Sequence, residues 1–338
     1  MIHGGERFVG ELRALSARLL MQRGAPYDAA QLQSDILIEA ELRGLPSHGL
    51  LRLPRLLLRL ERGLADPHTS GTAVWTRPAL MKVNGDAGLG PVVMMAAIRQ
   101  LGQIVPKHGI AVAAIRDANH IGMLAYYAEA AARMGFASIV MSTSEALVHP
   151  YGGTQAMLGT NPIAVGIPTA DEPFILDLAT SHVPMGKIHH HALRGEAIPE
   201  GWAVDREGRP TTDAEAAKTG ALAPFGGAKG YGLGLAVELL VAALAGSAFA
   251  PEVTGTLDDD QAATKGDLII LIDPAAGRGE GRRLSAFLQR VRTSRPSEPG
   301  RTVAVPGDGA RSRRAGSLAT GIELPDEIME RLAAFDAA

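Results

Sequence analysis

The sequence predicts an α/β protein in two parts: a helical N-terminal unit, then a layered domain in which strands and helices alternate. Two observations carry this expectation. Up to about residue 65 the apolar residues recur at helical spacing, and from about residue 75 short, β-branched apolar runs alternate with helical stretches. A third observation narrows the class. The dinucleotide fingerprint G-x-G-x-x-G follows no strand, and its nearest candidate, Gly88-Leu89-Gly90, has Val93 where the third glycine belongs. A standard Rossmann domain is therefore disfavoured.

The elements follow in order. Residues 7–22 place Phe8, Leu12, Leu15 and Leu19 on one helical face. Asp28 is positioned to cap a second helix containing Leu32, Ile36 and Leu37, which stops at Arg43-Gly44, where glycine suits a C-terminal cap. After the loop Leu45-Pro46-Ser47-His48-Gly49 a third helix is expected over 50–62, with Arg52, Arg55 and Arg59 among the leucines. Strands are expected at 79–83, 110–115, 137–141, 163–167, 174–178 and 268–272, and helices at 92–105, 124–134 and 233–245. Residues 275–283 and 294–316, rich in Gly, Arg, Ser and Pro, read as loops, and a last helix covers 326–335. The expected organisation is a helical part, 1–74, joined by the C-terminal helix at about 318–338, and an α/β dinucleotide-binding domain, 75–317.

Composition excludes several classes. The 338 residues are 46% hydrophobic and 20% charged, which suits a chain with a sizeable core and rules out a disordered or collagen-like one. Aromatics at 4% and a net charge of −3 leave neither stacking platforms nor a positive field for nucleic acid. With no cysteine, a thiolate nucleophile, a disulfide framework and a Cys-built zinc site are excluded. The opening residues lack a basic-then-apolar leader profile, and the apolar run at 233–249 contains Glu238 and falls short of the ~20 residues of a bilayer span. A cytoplasmic protein without a membrane partner is expected.

Two histidines sit in tight polar loops, His48 in Pro46-Ser47-His48-Gly49 and His120 in Asn119-His120-Ile121-Gly122, the latter directly after a strand. A histidine at a strand end is well placed in a cleft and titrates near neutrality, so each is either a proton-transfer residue or a structural one bonding its own loop. The turn Gly226-Gly227-Ala228-Lys229-Gly230 precedes a long helix, where backbone N–H groups, the helix N-terminus and Lys229 could meet an anion; the alternative is a turn of small residues made for close packing. His189-His190-His191 point in different directions in helix or strand and read as a solvated segment, as does Asp258-Asp259-Asp260; no metal site is expected.

Taken together, several segments resemble the type-2 malate/L-lactate dehydrogenase family of L-sulfolactate and ureidoglycolate dehydrogenase-like oxidoreductases. They are Arg43 through Gly49 with Arg52, Asn119-His120-Ile121-Gly122, Pro150-Tyr151-Gly152-Gly153, Gly159-Thr160-Asn161-Pro162 and Asp177-Leu178-Ala179-Thr180-Ser181. Further on come Gly186-Lys187-Ile188, Ile198 through Ala203, Pro210-Thr211-Thr212-Asp213 and Gly227 through Leu233. Their order and spacing hold over about 8–330. The resemblance implies a non-Rossmann, mixed-sheet α/β/α domain with a helical N-terminal part, a homodimer, and NAD- or NADP-dependent interconversion of a small 2-oxo acid and its 2-hydroxy acid.

It also implies roles. His120 and His48, the latter beside Ser47, are the acid/base candidates, with Lys187 a further catalytic one, and the strand-end loop favours His120 as proton donor. Arg52 holds the substrate carboxylate, for which a guanidinium fork is suited, and stands one helical turn after His48. Arg55 and Arg59 read as solvated charges. Thr160 and Asn161 line the nicotinamide end, with Thr160 also a substrate contact, and Ser144, Asp177, Leu178, Ala179, Lys229, Gly230 and Gly307 contact the cofactor. Two rivals stand beside this reading. One is a cyclic imino acid reductase of the same family, against which Lys187 counts, because imine-reducing relatives tend to carry a carboxylate there. The other is a catalytically silent nucleotide-binding protein.

Overall fold

The computed structural model describes residues 5–337. Met1–Gly4, part of the opening segment read above for a leader profile, and Ala338 lie outside the described residues.

Helix α1 (Gly5–Gln22) packs on α2 (Tyr27–Leu42). Asp28 lies inside the first turn of α2 and bonds no backbone N–H, because Pro26 occupies the cap position; Gly44, at φ +72°, ends the helix as expected. The third helix starts later than expected. Residues Pro46–His48 and Leu50–Arg52 form two short 3-10 turns, and α3 (Leu53–Glu61) follows, with Pro54 in its first turn. His48 and Arg52 are therefore neighbours across two tight turns and not one turn apart on a single helix. Leucines of these three helices, with Ile328 and Leu332 of the C-terminal helix, form one apolar cluster.

The chain then enters β1 (Thr72–Arg77) and β2 (Leu80–Asn84), crosses by α4 (Gly90–His108) to β3 (Ile110–Arg116), and by α5 (Leu124–Arg133) to β4 (Ala137–Ser142), β5 (Ile163–Ile167) and β6 (Phe174–Leu178). Helices α6 (Met185–Leu193) and α7 (Ala214–Lys218), with short strands β7 (Ala203–Val204), β8 (Pro210–Thr211) and β9 (Ala221–Leu222), make a separate three-stranded unit with its own small core around Ile188, Ile198 and Leu222. The chain returns through α8 (Ala228–Ala245) to β10 (Gly266–Ile272) and ends in α9 (Gly281–Arg292), α10 (Asp308–Thr320) and α11 (Asp326–Ala337).

The main sheet has seven strands in the order β1-β2-β3-β10-β4-β5-β6; only β2 and β3 run parallel, so the sheet is mixed. The period of two is plain in its centre. Ala113, Ile115, Val140, Ile269 and Leu271 face a core under α4 and α5, while Ala114, Met141 and Leu268 face Val237, Val241 and Ala245 of α8. The layers are thus α/β/α. By length and composition α8 could cross a membrane, but its inner side packs on β3, β4 and β10 and its Glu238 is bonded within the fold.

Two segments read as loops contain helix. In 294–316 the chain forms α10, whose Arg314 pairs with Glu39 of α2 at 2.8 Å and whose Arg313 donates to the Arg43 carbonyl. Arginine contacts across the fold stabilise a segment that composition alone marks as irregular. In 275–283 a 3-10 turn over Pro274–Ala276 leads to the start of α9. The His189–His191 run lies on α6, mostly exposed.

Candidate active site

The loop after β3 carries His120, and its position is fixed by close packing. A Cβ on Gly90 would come within 2.4 Å of the Asn119 carbonyl oxygen and 2.5 Å of that of His120. The Gly88-Leu89-Gly90 pair therefore lets the first turn of α4 lie against this loop. Asn119 is buried and donates to the Ala87 carbonyl at 2.6 Å, while its Oδ1 accepts from Arg59 Nε at 2.8 Å.

His120 Nδ1 accepts from the Gly122 backbone N–H at 3.1 Å. A nitrogen that accepts carries no proton, so the neutral ring has its proton on Nε2. The His48 ring stands 5.6 Å away, centroid to centroid, at 33°. Its Nδ1 lies 3.0 Å from the Ser47 hydroxyl, which can donate or accept and so suits either tautomer. Burial, then the nearby Arg52 cation, lower the His48 imidazole from its usual 6.5 to about 4. Burial, Arg52 and His48 itself push His120 well below its usual value too.

Arg52 donates from Nε to the Ser47 carbonyl and from Nη1 to the Thr256 carbonyl, both at 2.8 Å, and contacts no carboxylate directly among the described residues. Arg52 and His120 line one cavity, closed on its far side by Gly255 and Thr256. His48 is not among its lining residues. The 254–261 loop is held down by groups that sequence reasoning missed. Glu145 accepts from the Thr256 and Leu257 N–H groups and the Thr256 hydroxyl. Arg59, read as a solvated charge, is 3% exposed and donates to the Gln261 carbonyl at 2.8 Å as well as to Asn119. The signal for Arg59 was present: seven residues after Arg52, it returns to the same helical face.

The segments expected to hold a dinucleotide converge beside α8. Ser144 Oγ accepts from Thr160 N–H, and Thr180 donates to the Thr160 carbonyl through both N–H and hydroxyl. The Phe225 N–H reaches the Thr180 carbonyl, and a Cβ on Gly230 would meet the Phe225 carbonyl oxygen at 1.9 Å, so only glycine fits there. Lys229 is exposed and makes no hydrogen bond or ion pair among the described residues. Asn161, fully buried, donates to the Gly234 carbonyl and to Glu238, but its Oδ1 is buried without a partner. An orphaned acceptor, a free cation at a helix start and glycine-lined backbone fit a pyrophosphate and a carboxamide.

Other expected residues stand elsewhere. Leu178 pairs with Ile163 across β5 and β6. The Asp177 carboxylate accepts from Ala125 N–H at the start of α5, and burial raises it from 3.8 to about 6, so its side chain serves that helix. Ala179 joins β6 to Thr180 and offers only backbone. Gly307 starts α10 at φ +96° against the Ile175 carbonyl, two residues along β6 from Asp177. Lys187 lies over the Trp202 ring, 5.2 Å from its centroid, and makes no hydrogen bond to either histidine; its neighbour Gly186 lies against Ser47.

The malate/L-lactate dehydrogenase family model matches residues 9–333. A crystal structure of a dehydrogenase from Sinorhizobium meliloti superposes with a TM-score of 0.95 at 64% identity, over 97% of each chain. L-sulfolactate dehydrogenase of Methanocaldococcus jannaschii is 35% identical over 93% of this chain and 91% of its own. Delta(1)-pyrroline-2-carboxylate reductase 1 of Burkholderia ambifaria is 34% identical over 95% of each. Fold and relatives agree: the chain belongs to the malate/L-lactate dehydrogenase family, as an NAD(P)-dependent oxidoreductase of hydroxy and oxo acids.

Proposed function

We propose that the chain interconverts a small 2-oxo acid and its 2-hydroxy acid with His48 and His120 as the proton-handling pair. The observation that carries this is the convergence of Arg52 and His120 on one cavity, with the Arg52 guanidinium in contact with no carboxylate among the described residues. A substrate carboxylate supplies the missing partner, and a planar fork grips it with two hydrogen bonds.

His120, held with its proton on Nε2 by the Gly122 N–H, donates to the substrate C2 oxygen and polarises it. Its Nδ1 faces a donor, so taking a second proton would set two N–H groups against each other. His48 has no such restriction, because the Ser47 hydroxyl adapts to either protonation state. His48 therefore exchanges the proton and His120 orients and polarises, the reverse of the order favoured by strand-end position alone. The two rings stand 5.6 Å apart, centroid to centroid, close enough to act on one substrate group. Bound NAD or NADP supplies the hydride-transfer chemistry. Ser144, Thr160, Asn161, Ala179, Lys229, Gly230 and Gly307 hold it, with Leu178 and Asp177 backing the strand beneath. Lys187 lies over the Trp202 ring and stands outside the proton-handling pair.

The protein works as a cytoplasmic homodimer. Along α8, Ala236, Leu239, Leu240 and Ala243 are exposed, an apolar face of the kind a second copy buries. The division at about residue 74 follows the separate apolar cluster of α1, α2, α3 and α11. Reduction of a cyclic imino acid is the second reading, favoured by the Burkholderia relative. A panel of 2-oxo acids and cyclic imines, assayed with NADH and with NADPH, separates the two. Turnover of oxo acids supports the first reading, and turnover of imines alone refutes it.

A further inference from the structure

The tautomer of His120 depends on one peptide group, between Ile121 and Gly122, whose N–H reaches His120 Nδ1 at 3.1 Å. No peptide bond among the described residues is cis, so the carbonyl of this group points away from its N–H. That carbonyl accepts from the Tyr127 hydroxyl, and from no other donor among the described residues. The peptide is thus held at both ends, by Tyr127 on its oxygen and by His120 on its nitrogen. Nothing else fixes its direction locally, because Gly122, at φ +74°, has no Cβ to resist rotation of the peptide before it.

Tyr127 is built for a fixed position. It is the largest fully buried side chain and lies in the first turn of α5, whose start Asp177 holds to β6 by accepting from Ala125 N–H at 2.7 Å. A buried hydroxyl needs a partner. Burial, then the nearby Asp267 carboxylate, push the phenol well above its usual 10, so it stays protonated and able to donate. Asp267 does not compete for that proton, because its oxygens accept from Ser142 at 2.6 Å and from Lys265.

We propose that Tyr127 is a positioning residue that sets the His120 tautomer through the Ile121–Gly122 peptide. This rests on the reading above, in which His120 donates from Nε2 to the substrate C2 oxygen. Removing the hydroxyl strands a buried carbonyl. Rotation of the peptide, which glycine permits, turns that carbonyl toward His120 Nδ1. A carbonyl there demands a proton on Nδ1 and takes it from Nε2, so the ring faces the substrate with an acceptor in place of a donor.

The test records ring-15N spectra of histidine-labelled protein at neutral pH, with His120 assigned by its loss in His120→Asn. Wild type should show His120 protonated on Nε2 alone; a proton on Nδ1 overturns the proposal without any variant. Tyr127→Phe keeps the ring and the packing, with melting temperature as the folding control. It should move the His120 proton to Nδ1 and lower kcat by about tenfold or more, with KM and dinucleotide affinity near wild type. Turnover is measured with oxaloacetate or pyruvate, whichever wild type reduces faster. Tyr126→Phe, on the same helix but bonded to Asp35 at 2.8 Å, should leave the tautomer and kcat unchanged. An unmoved tautomer in Tyr127→Phe overturns the proposal, as does an equal change in Tyr126→Phe. A moved tautomer with unchanged kcat upholds the role of Tyr127 and removes His120 from the proton-handling pair. If neither oxo acid is turned over, the oxo-acid reading fails and the spectra still decide the proposal.

Discussion

The His48 and His120 rings stand 5.6 Å apart, centroid to centroid, yet they come from distant parts of the chain, His48 from the turns between α2 and α3 and His120 from the loop after β3. Each has its own local partner, the Ser47 hydroxyl for His48 and the Gly122 N–H for His120. Those partners differ in kind. One can donate or accept and the other only donates, which separates a ring free to change protonation from a ring held in one tautomer.

The pH dependence follows. With its folded pKa depressed to about 4, His48 stays neutral, and competent as a base, down to that range. In the oxidation direction the acidic limb of kcat/KM for the free enzyme should lie well below 6.5, activity falling as pH drops through about 4. His48→Asn should cost about 10²–10⁴ in kcat and abolish that limb. His120→Asn should lower activity while keeping the limb. If His120→Asn alone removes the ionisation, the roles are exchanged.

Arg52→Lys keeps the charge and loses the fork. Because the carboxylate grip and the ties to Ser47 and Thr256 both use guanidinium N–H groups, KM for the oxo acid should rise by about tenfold or more. Dinucleotide affinity, measured by fluorescence titration, should stay near wild type. Wild-type kinetics would remove Arg52 from the site.

Lys229→Ala should weaken dinucleotide binding, since a charge-assisted contact to a phosphate is worth about 1.5–3 kcal/mol. The side chain has no partner within the described residues, so stability should hardly change. Unchanged affinity for both NADH and NADPH would reduce the Gly226–Gly230 turn to a packing feature.

Gly90→Ala places a methyl group against the carbonyls of Asn119 and His120, which are backbone and cannot swing aside. Overpacking of this kind costs about 1–3 kcal/mol and should displace the His120 loop. Lower melting temperature and lower kcat should appear together. Gly10→Ala on α1 has nothing within 4 Å of the new carbon and should be neutral or slightly stabilising.

Legibility in the sequence varied with the range of the forces involved. The central strands were readable because apolar runs such as 110–115 and 268–272 record burial on both faces. The arrangement of those strands was not, because insertion of β10 between β3 and β4 pairs residues more than 100 positions apart. The start of α10 escaped because its stability comes from arginine contacts to α2. The expected site residues rest on motif order, which does not single out Arg59, Glu145 and Thr256. Their roles are to hold a loop in place, and a hydrogen bond from residue 145 to residue 256 leaves no local spacing to read.

The account stands on hydride delivery to the C2 carbon of an oxo acid held at Arg52, and reduction with NADH or NADPH deuterated at nicotinamide C4 tests that directly. Mass spectrometry and NMR of the product should find deuterium at C2 of the 2-hydroxy acid, with the hydroxyl proton exchanging with solvent. Deuterium appearing only in a cyclic amino acid, or transferred to no product at all, would contradict it.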